Sequence, residues 1–182
     1  AYAEWEGAKI NLIDTPGYLD FAGDAMAGVY AADASLIVLS ATSGVEVGTE
    51  KVWEYSQTCG HPSVFFVSLM DKEHANFERV YQDIRDHLTP KAIPVEIPVG
   101  EGPAFHGIIN LITRKAHLYK KGTKTGEYDE QGIPAEMEAK YEKSFQADVE
   151  RNARARDHLQ SNFDAAIQDA KSDNNYQATN LT

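Results

Sequence analysis

Between Lys9 and about Thr89 the chain alternates short apolar runs with longer stretches in which apolar residues return every three or four positions. KINLI is followed by DFAGDAMAGVYAAD, ASLIVLSA by VGTEKVWEYSQTCG, and SVFFVSLMD by ANFERVYQDIRDHL. Continuous runs of Val, Ile, Leu and Phe predict buried strands, and the three-to-four spacing predicts helices. The segment therefore predicts the order βαβαβα. That order implies an α/β fold with a parallel sheet covered by helices on both faces. Val52, Tyr55 and Cys59 share one helix face, as do Phe77, Val80, Tyr81, Ile84 and Leu88, so these are expected core positions, with Trp53 and the tyrosines packing among them. Gly60 is expected to stop the second helix and Pro90 the third.

From Ile93 to about Pro134 Gly and Pro become frequent and the β-like runs shorten to Val95–Val99, Gly107–Leu111 and Ala116–Tyr119. This predicts a small β-rich insert. Beyond it Met137, Tyr141, Phe145 and Val149 recur every four residues, and Leu159, Phe163, Ile167 and Ala170 resume the stripe, which predicts a terminal helix. The expected division is a partial α/β core over 1–92, an insert over 93–134, and a helical tail with a frayed, polar end over 135–182.

Composition narrows the function classes. With 17 basic against 28 acidic residues the net charge is −11, which argues against bulk-charge binding to DNA or anionic lipid. No run approaches the length of a membrane span, and AYAEWEGA has neither the basic start nor the apolar run of a signal peptide. The lone Cys59 fits a reducing compartment, so the expectation is a soluble cytoplasmic chain without membrane partners. The six histidines are dispersed without metal-ligand spacing.

The stretch INLIDTPGYLDF, Ile10 to Phe21, carries the strongest chemical signal. An apolar run ends in Asp14, turns through Thr15, Pro16 and Gly17, and leads into a helix. In that context a carboxylate can hold a magnesium ion through water, while a glycine lets backbone N–H approach a terminal phosphate. The alternative is a tight strand-to-helix turn with Asp20 as a cap. Ser68-Leu69-Met70-Asp71 ends the third apolar run, at the carboxyl end of a strand, where open α/β sheets bind ligands. Glu101, between Gly100 and Gly102, reads as a turn residue.

Taken together, INLIDTPGYLDFAGD, GVEVGTEKVWEYSQTCGHPSVFFVSLMDKEHANFERVYQDI and VEIPVGEGPAFHGIINLITRKAHLYKKG make residues 9 to about 121 resemble the G domain of translational GTPases of the elongation factor G type, with its insert subdomain. The resemblance implies a partial P-loop-type sheet, GTP or GDP and magnesium as cofactors of the parent protein, and the ribosome as its partner. It implies that Asp14 serves magnesium through water and that Thr15, Pro16, Gly17 and Tyr18 form the γ-phosphate element. It also places Ser68 and Asp71 at the guanine. Tyr18 stands where translocating members carry the histidine that positions the attacking water, a poor exchange since a phenol titrates near about 10. Ser68 and Leu69 replace the Asn and Lys of the guanine motif, and no phosphate loop or switch I segment lies within these residues. Those groups contribute charge-assisted bonds of about 1.5–3 kcal/mol each, and losing about 5 kcal/mol removes three to four powers of ten in affinity. The 182 residues alone are therefore expected to bind no nucleotide tightly and to be inactive as a GTPase. A second reading is a non-catalytic interaction module derived from such a domain. In either case an incomplete sheet would expose edges that a second chain could cover. Arg151, Arg154 and Arg156 form a basic cluster that reads equally as a solvated face.

Overall fold

The computed structural model describes residues 1–5, 7–120, 122–123 and 126–133, so the expected tail helix and its arginine cluster lie outside the described residues. The chain divides into two compact units, Ala1–Ala92 with Pro98–His106, and Ile93–Ile97 with the chain from Gly107 onward.

The first unit begins with a hairpin that the apolar pattern does not announce. Strands β1 (Tyr2–Trp5) and β2 (Ala8–Asn11) pair antiparallel in the register Tyr2↔Asn11 to Trp5↔Ala8, with Gly7 at φ 80° in the turn between them. β2 ends at Asn11 rather than running on to Ile13. Its ladder is only as long as its partner, and the last bonds join Leu12 to Ala1. A single 3-10 turn, Leu19–Phe21, then leads into α1 (Ala22–Ala31).

Strands β3 (Ser35–Ser40) and β4 (Ser63–Ser68) form the parallel pair, in register from Ser35↔Ser63 to Ser40↔Ser68. Between them runs α2 (Val47–Cys59). Its start is a capping box of Glu46 and Thr49, and its end is Gly60 in the left-handed region at φ 70°. α3 (Phe77–His87) follows β4, capped by the Asn76 side chain, which accepts the Arg79 N–H at 2.8 Å.

Alternation along the parallel pair decides where the core sits. Ile37, Leu39, Phe65 and Val67 face α2 and α3, meeting Val52, Trp53, Val80, Ile84 and Leu88. The Trp53 and Phe65 rings lie 5.3 Å apart, which bears out a packing role for Trp53. Leu36, Val38, Val64 and Phe66 point the other way and are 54–63 % exposed. The α/β class with a parallel sheet therefore stands. Among the described residues, however, apolar packing covers one face of that pair.

The second unit carries a four-stranded sheet in the order β5 (Glu96–Val99), β6 (Gly107–Asn110), β7 (Lys115–Tyr119), β8 (Tyr128–Gly132), and the first two residues of β5 belong to this unit. β6–β7 and β7–β8 are antiparallel, and Ile109 and Ala116, paired across β6 and β7, are fully buried. β8 is exposed along its whole length and offers no apolar signal. Its five-residue backbone ladder to β7 is flanked by exposed polar pairs: Lys115 and the His117 ring meet Glu130, and Lys120, just past β7, meets Asp129 at 2.9 Å. The hydrogen bond from Lys115 is the main cause that keeps the Glu130 carboxyl below its usual range.

Candidate functional site

The Asp14–Tyr18 turn emerges from the end of the hairpin and lies almost wholly in solvent. Asp14, Pro16, Gly17 and Tyr18 are exposed, Tyr18 by 80 %. Thr15 is half-buried and is the only residue from Gly7 to Phe21 that is not exposed. Its methyl sits against Gly28 of α1, where a Cβ would overlap it. On the other side, the Gly17 carbonyl lies 3.6 Å from where a Cβ on Gly48, in the first turn of α2, would stand. The turn is thus seated against glycines of two helices.

Gly17 itself has no protein atom within 4 Å of a Cβ position, and its φ lies outside the left-handed region. Neither crowding nor backbone conformation in this chain demands a glycine there. The open space lets a ligand oxygen approach the backbone closely, which a side chain would obstruct. Asp20 does not act as the alternative cap, since it lies inside the 3-10 turn and the N-cap of α1 is Phe21, which makes no side-chain bond.

The Ser68–Asp71 loop is built differently. The Ser68 hydroxyl donates to the Leu39 carbonyl at 3.0 Å, and the Ser68 carbonyl accepts the Ala41 N–H at 2.9 Å. Met70 is buried with Ala41 and Ala75, while its carbonyl accepts the Gly102 N–H at 2.9 Å. Leu69 takes a left-handed φ of 59° and is 47 % exposed. The Asp71 carboxylate is also exposed, 3.8 Å from the Lys72 ammonium.

Two contributors to this loop escape a reading of the sequence. Glu101 is more than a turn residue: its carboxylate accepts the Phe77 N–H at the start of α3, at 3.0 Å. A carboxylate there opposes the positive end of the helix dipole. Arg79 reaches back to the Thr42 carbonyl at 2.6 Å and so ties α3 to the loop after β3. The signal for the first is present in Gly100-Glu101-Gly102, whose glycines both adopt positive φ and aim the carboxylate between them.

The two motifs follow strands of separate sheets. Among the described residues β2 pairs with β1 alone and β3 with β4 alone, so no described ladder joins the strand before Asp14 to the strand that ends at Ser68. Among the described residues no group of three or more His, Cys, Asp or Glu could enclose a metal ion. Asp14 fits magnesium only as one oxygen ligand beside waters and phosphate oxygens, which is how that ion is usually held.

Residues 1–173 match the family model for the elongation factor Tu GTP binding domain. The chain is 38 % identical over 129 residues to an elongation factor G-like protein of Thermotoga maritima, covering 71 % of this chain and 19 % of that protein. It is also 38 % identical over 159 residues to elongation factor G of Mycoplasma genitalium, covering 87 % of this chain and 23 % of that protein. A crystal structure of a Thermus thermophilus protein superposes with a TM-score of 0.71 at 34 % identity, over 82 % of this chain and 22 % of that one. The chain thus spans about a fifth of the length of these relatives.

Proposed function

Since the chain belongs to the elongation factor Tu GTP binding domain family, we propose that it forms part of the G domain of an elongation-factor-G-type GTPase that binds GTP with magnesium and works on the ribosome in the cytoplasm. Asp14 serves magnesium through water, and the Gly17 N–H meets the terminal phosphate. Thr15 and Pro16 shape the turn between them. Tyr18 occupies the water-positioning place and, as a phenol, is a weak base there. Asp71 takes the guanine edge, with Ser68 beside it. Residues 93–134 correspond to the insert segment of such a domain. No helix among the described residues is long and apolar enough to cross a membrane. The observation that carries the reading is the exposed turn whose glycine leaves an open approach to its backbone.

The 182 residues by themselves hold no G-x-x-x-x-G-K-[ST] loop. Expressed alone they are inactive as a GTPase and bind the nucleotide no better than about millimolar, given the bonds such a loop contributes. Titration with a fluorescent guanine nucleotide and magnesium tests this. The isolated chain should give no saturation in the micromolar range, and a longer protein carrying a phosphate loop should. Micromolar binding by the isolated chain would refute its predicted weakness, and no binding by the longer protein would refute the GTPase reading.

A non-catalytic interaction module is the second reading, and Ser68 favours it. Its hydroxyl is bonded to the Leu39 carbonyl rather than left for a base, and the adjoining Leu69 offers no cation. On this reading a second chain covers Leu36, Val38, Val64 and Phe66, and the longer protein shows no nucleotide binding at all.

A further inference from the structure

Of the two places where the Asp14–Tyr18 turn meets a helix of the first unit, the contact between Thr15 and Gly28 is the tighter, and Thr15 is the turn's half-buried residue. Every other residue from Gly7 to Phe21 is exposed. At Gly28 a Cβ would overlap Thr15 Cγ2, whereas the next nearest atoms, Ile13 Cγ2 at 3.5 Å and Thr15 Cβ at 3.8 Å, would be in ordinary contact. One methyl group therefore occupies the space that any larger residue at position 28 would need.

We infer that Gly28 is a positioning residue for the phosphate and magnesium element: its missing side chain is the socket for the Thr15 methyl, and this fit sets where Asp14 and Gly17 stand. The inference rests on the reading of that turn given above. Gly28 lies in the interior of α1, where alanine is intrinsically favoured over glycine, so an ordinary helix glycine would gain stability on Gly28→Ala. Here the overlap with the methyl reverses that sign. Thr15→Ser removes Cγ2 and keeps the hydroxyl, so it empties the socket without otherwise changing the chemistry of the turn.

The test is a double-mutant cycle on the 182-residue chain without nucleotide, which makes its outcome independent of whether the GTP reading holds. In the Thr15 background, G28A should raise the unfolding equilibrium constant about tenfold or more. In the T15S background the same change should lower it about fourfold, the helix propensity now being unmasked. Amide 1H–15N cross-peaks of Asp14, Thr15, Gly17 and Tyr18 should move in G28A and return in T15S/G28A to their T15S positions. Those of α3 should stay in place throughout. If G28A does not fold, T15S/G28A must. The inference fails if G28A has the same sign in both backgrounds, if the turn's cross-peaks do not move, or if the double variant is as disordered as G28A.

Discussion

The two turns that close β2 and β4 differ in how they are held. The Asp14–Tyr18 turn is exposed and rests on a steric fit against Gly28, with Gly17 beside the first turn of α2. The Ser68–Asp71 turn is fixed from three sides: Ala41 and Leu39 bond Ser68, Gly102 bonds Met70, and Arg79 and Glu101 tie the surrounding loops to α3. The segment that reads most clearly in sequence is therefore the more lightly anchored, and the Ser68–Asp71 loop is the more firmly built. Light anchoring suits an element whose position is to follow a ligand, because a small differential interaction can then move it. A turn braced on several carbonyls needs far more to shift.

Disturbing the braced turn should cost most. Gly100 has φ 78°, and a Cβ there would run into the Ala104 carbonyl, which is backbone and cannot rotate away. Gly100→Ala should destabilise the chain by about 3 kcal/mol, combining left-handed strain with a backbone overlap. Urea denaturation measures this. A loss under about 1 kcal/mol would mean that the 100–106 segment does not brace the loop after β4.

Arg79→Ala comes next. Its guanidinium bond to the Thr42 carbonyl at 2.6 Å is charge-assisted, worth about 1.5–3 kcal/mol when shielded, but this one is exposed. About 1 kcal/mol is the expected loss. Arg79→Lys should recover only part of it, because an ammonium lacks the guanidinium's reach and fork. Full recovery by lysine would show that charge near α3, rather than the bond to Thr42, is what matters.

How much of this is legible in the sequence follows the same division. β3, α2, β4 and α3 lie where the apolar periodicity predicts them, since burial and periodicity share one cause: Ile37, Leu39, Val80 and Ile84 form the core that the pattern implies. The Gly60 and Pro90 stops are also respected, with α3 ending at His87. The strand at KINLI is present as β2, but its antiparallel pairing with β1 escapes the pattern although Gly7 between two short strands is a hairpin signal, because β2 is exposed along its whole length and so marks no buried face. β8 escapes it for a related reason. It is an acidic edge strand faced by Lys115 of β7 and by Lys120 just beyond it, and charge complementarity across strands leaves no periodicity to read. The Gly28 socket is illegible because a glycine's reason lies in the atom that would strike its side chain, thirteen residues away in sequence and adjacent only in the fold.

A smaller effect of opposite sign separates strain from support. Leu69 has a left-handed φ of 59° and an exposed apolar side chain, so it contributes little burial to offset the conformational cost. Leu69→Asn should stabilise by about 0.5–1 kcal/mol, asparagine tolerating that region better. A loss of stability in thermal unfolding would mean that the Leu69 side chain has a packing role outweighing its strain.

The smallest change in stability should come from Gly17→Ala. Nothing stands within 4 Å of a Cβ at Gly17, and its φ is outside the left-handed region, so alanine meets neither crowding nor strain. Restricting the unfolded chain then favours the variant slightly, by up to about 0.5 kcal/mol. In the braced turn the glycines at 100 and 102 answer to protein atoms: the Ala104 carbonyl, and the Lys72 carbonyl at 3.2 Å. If Gly17 answers instead to a ligand, Gly17→Ala should leave thermal unfolding of the chain unchanged or slightly raised while weakening magnesium-dependent nucleotide binding in a longer protein that carries the phosphate loop. Destabilisation of the isolated chain by more than about 1 kcal/mol would place the demand for glycine in the fold itself, and the contrast between the two turns would collapse.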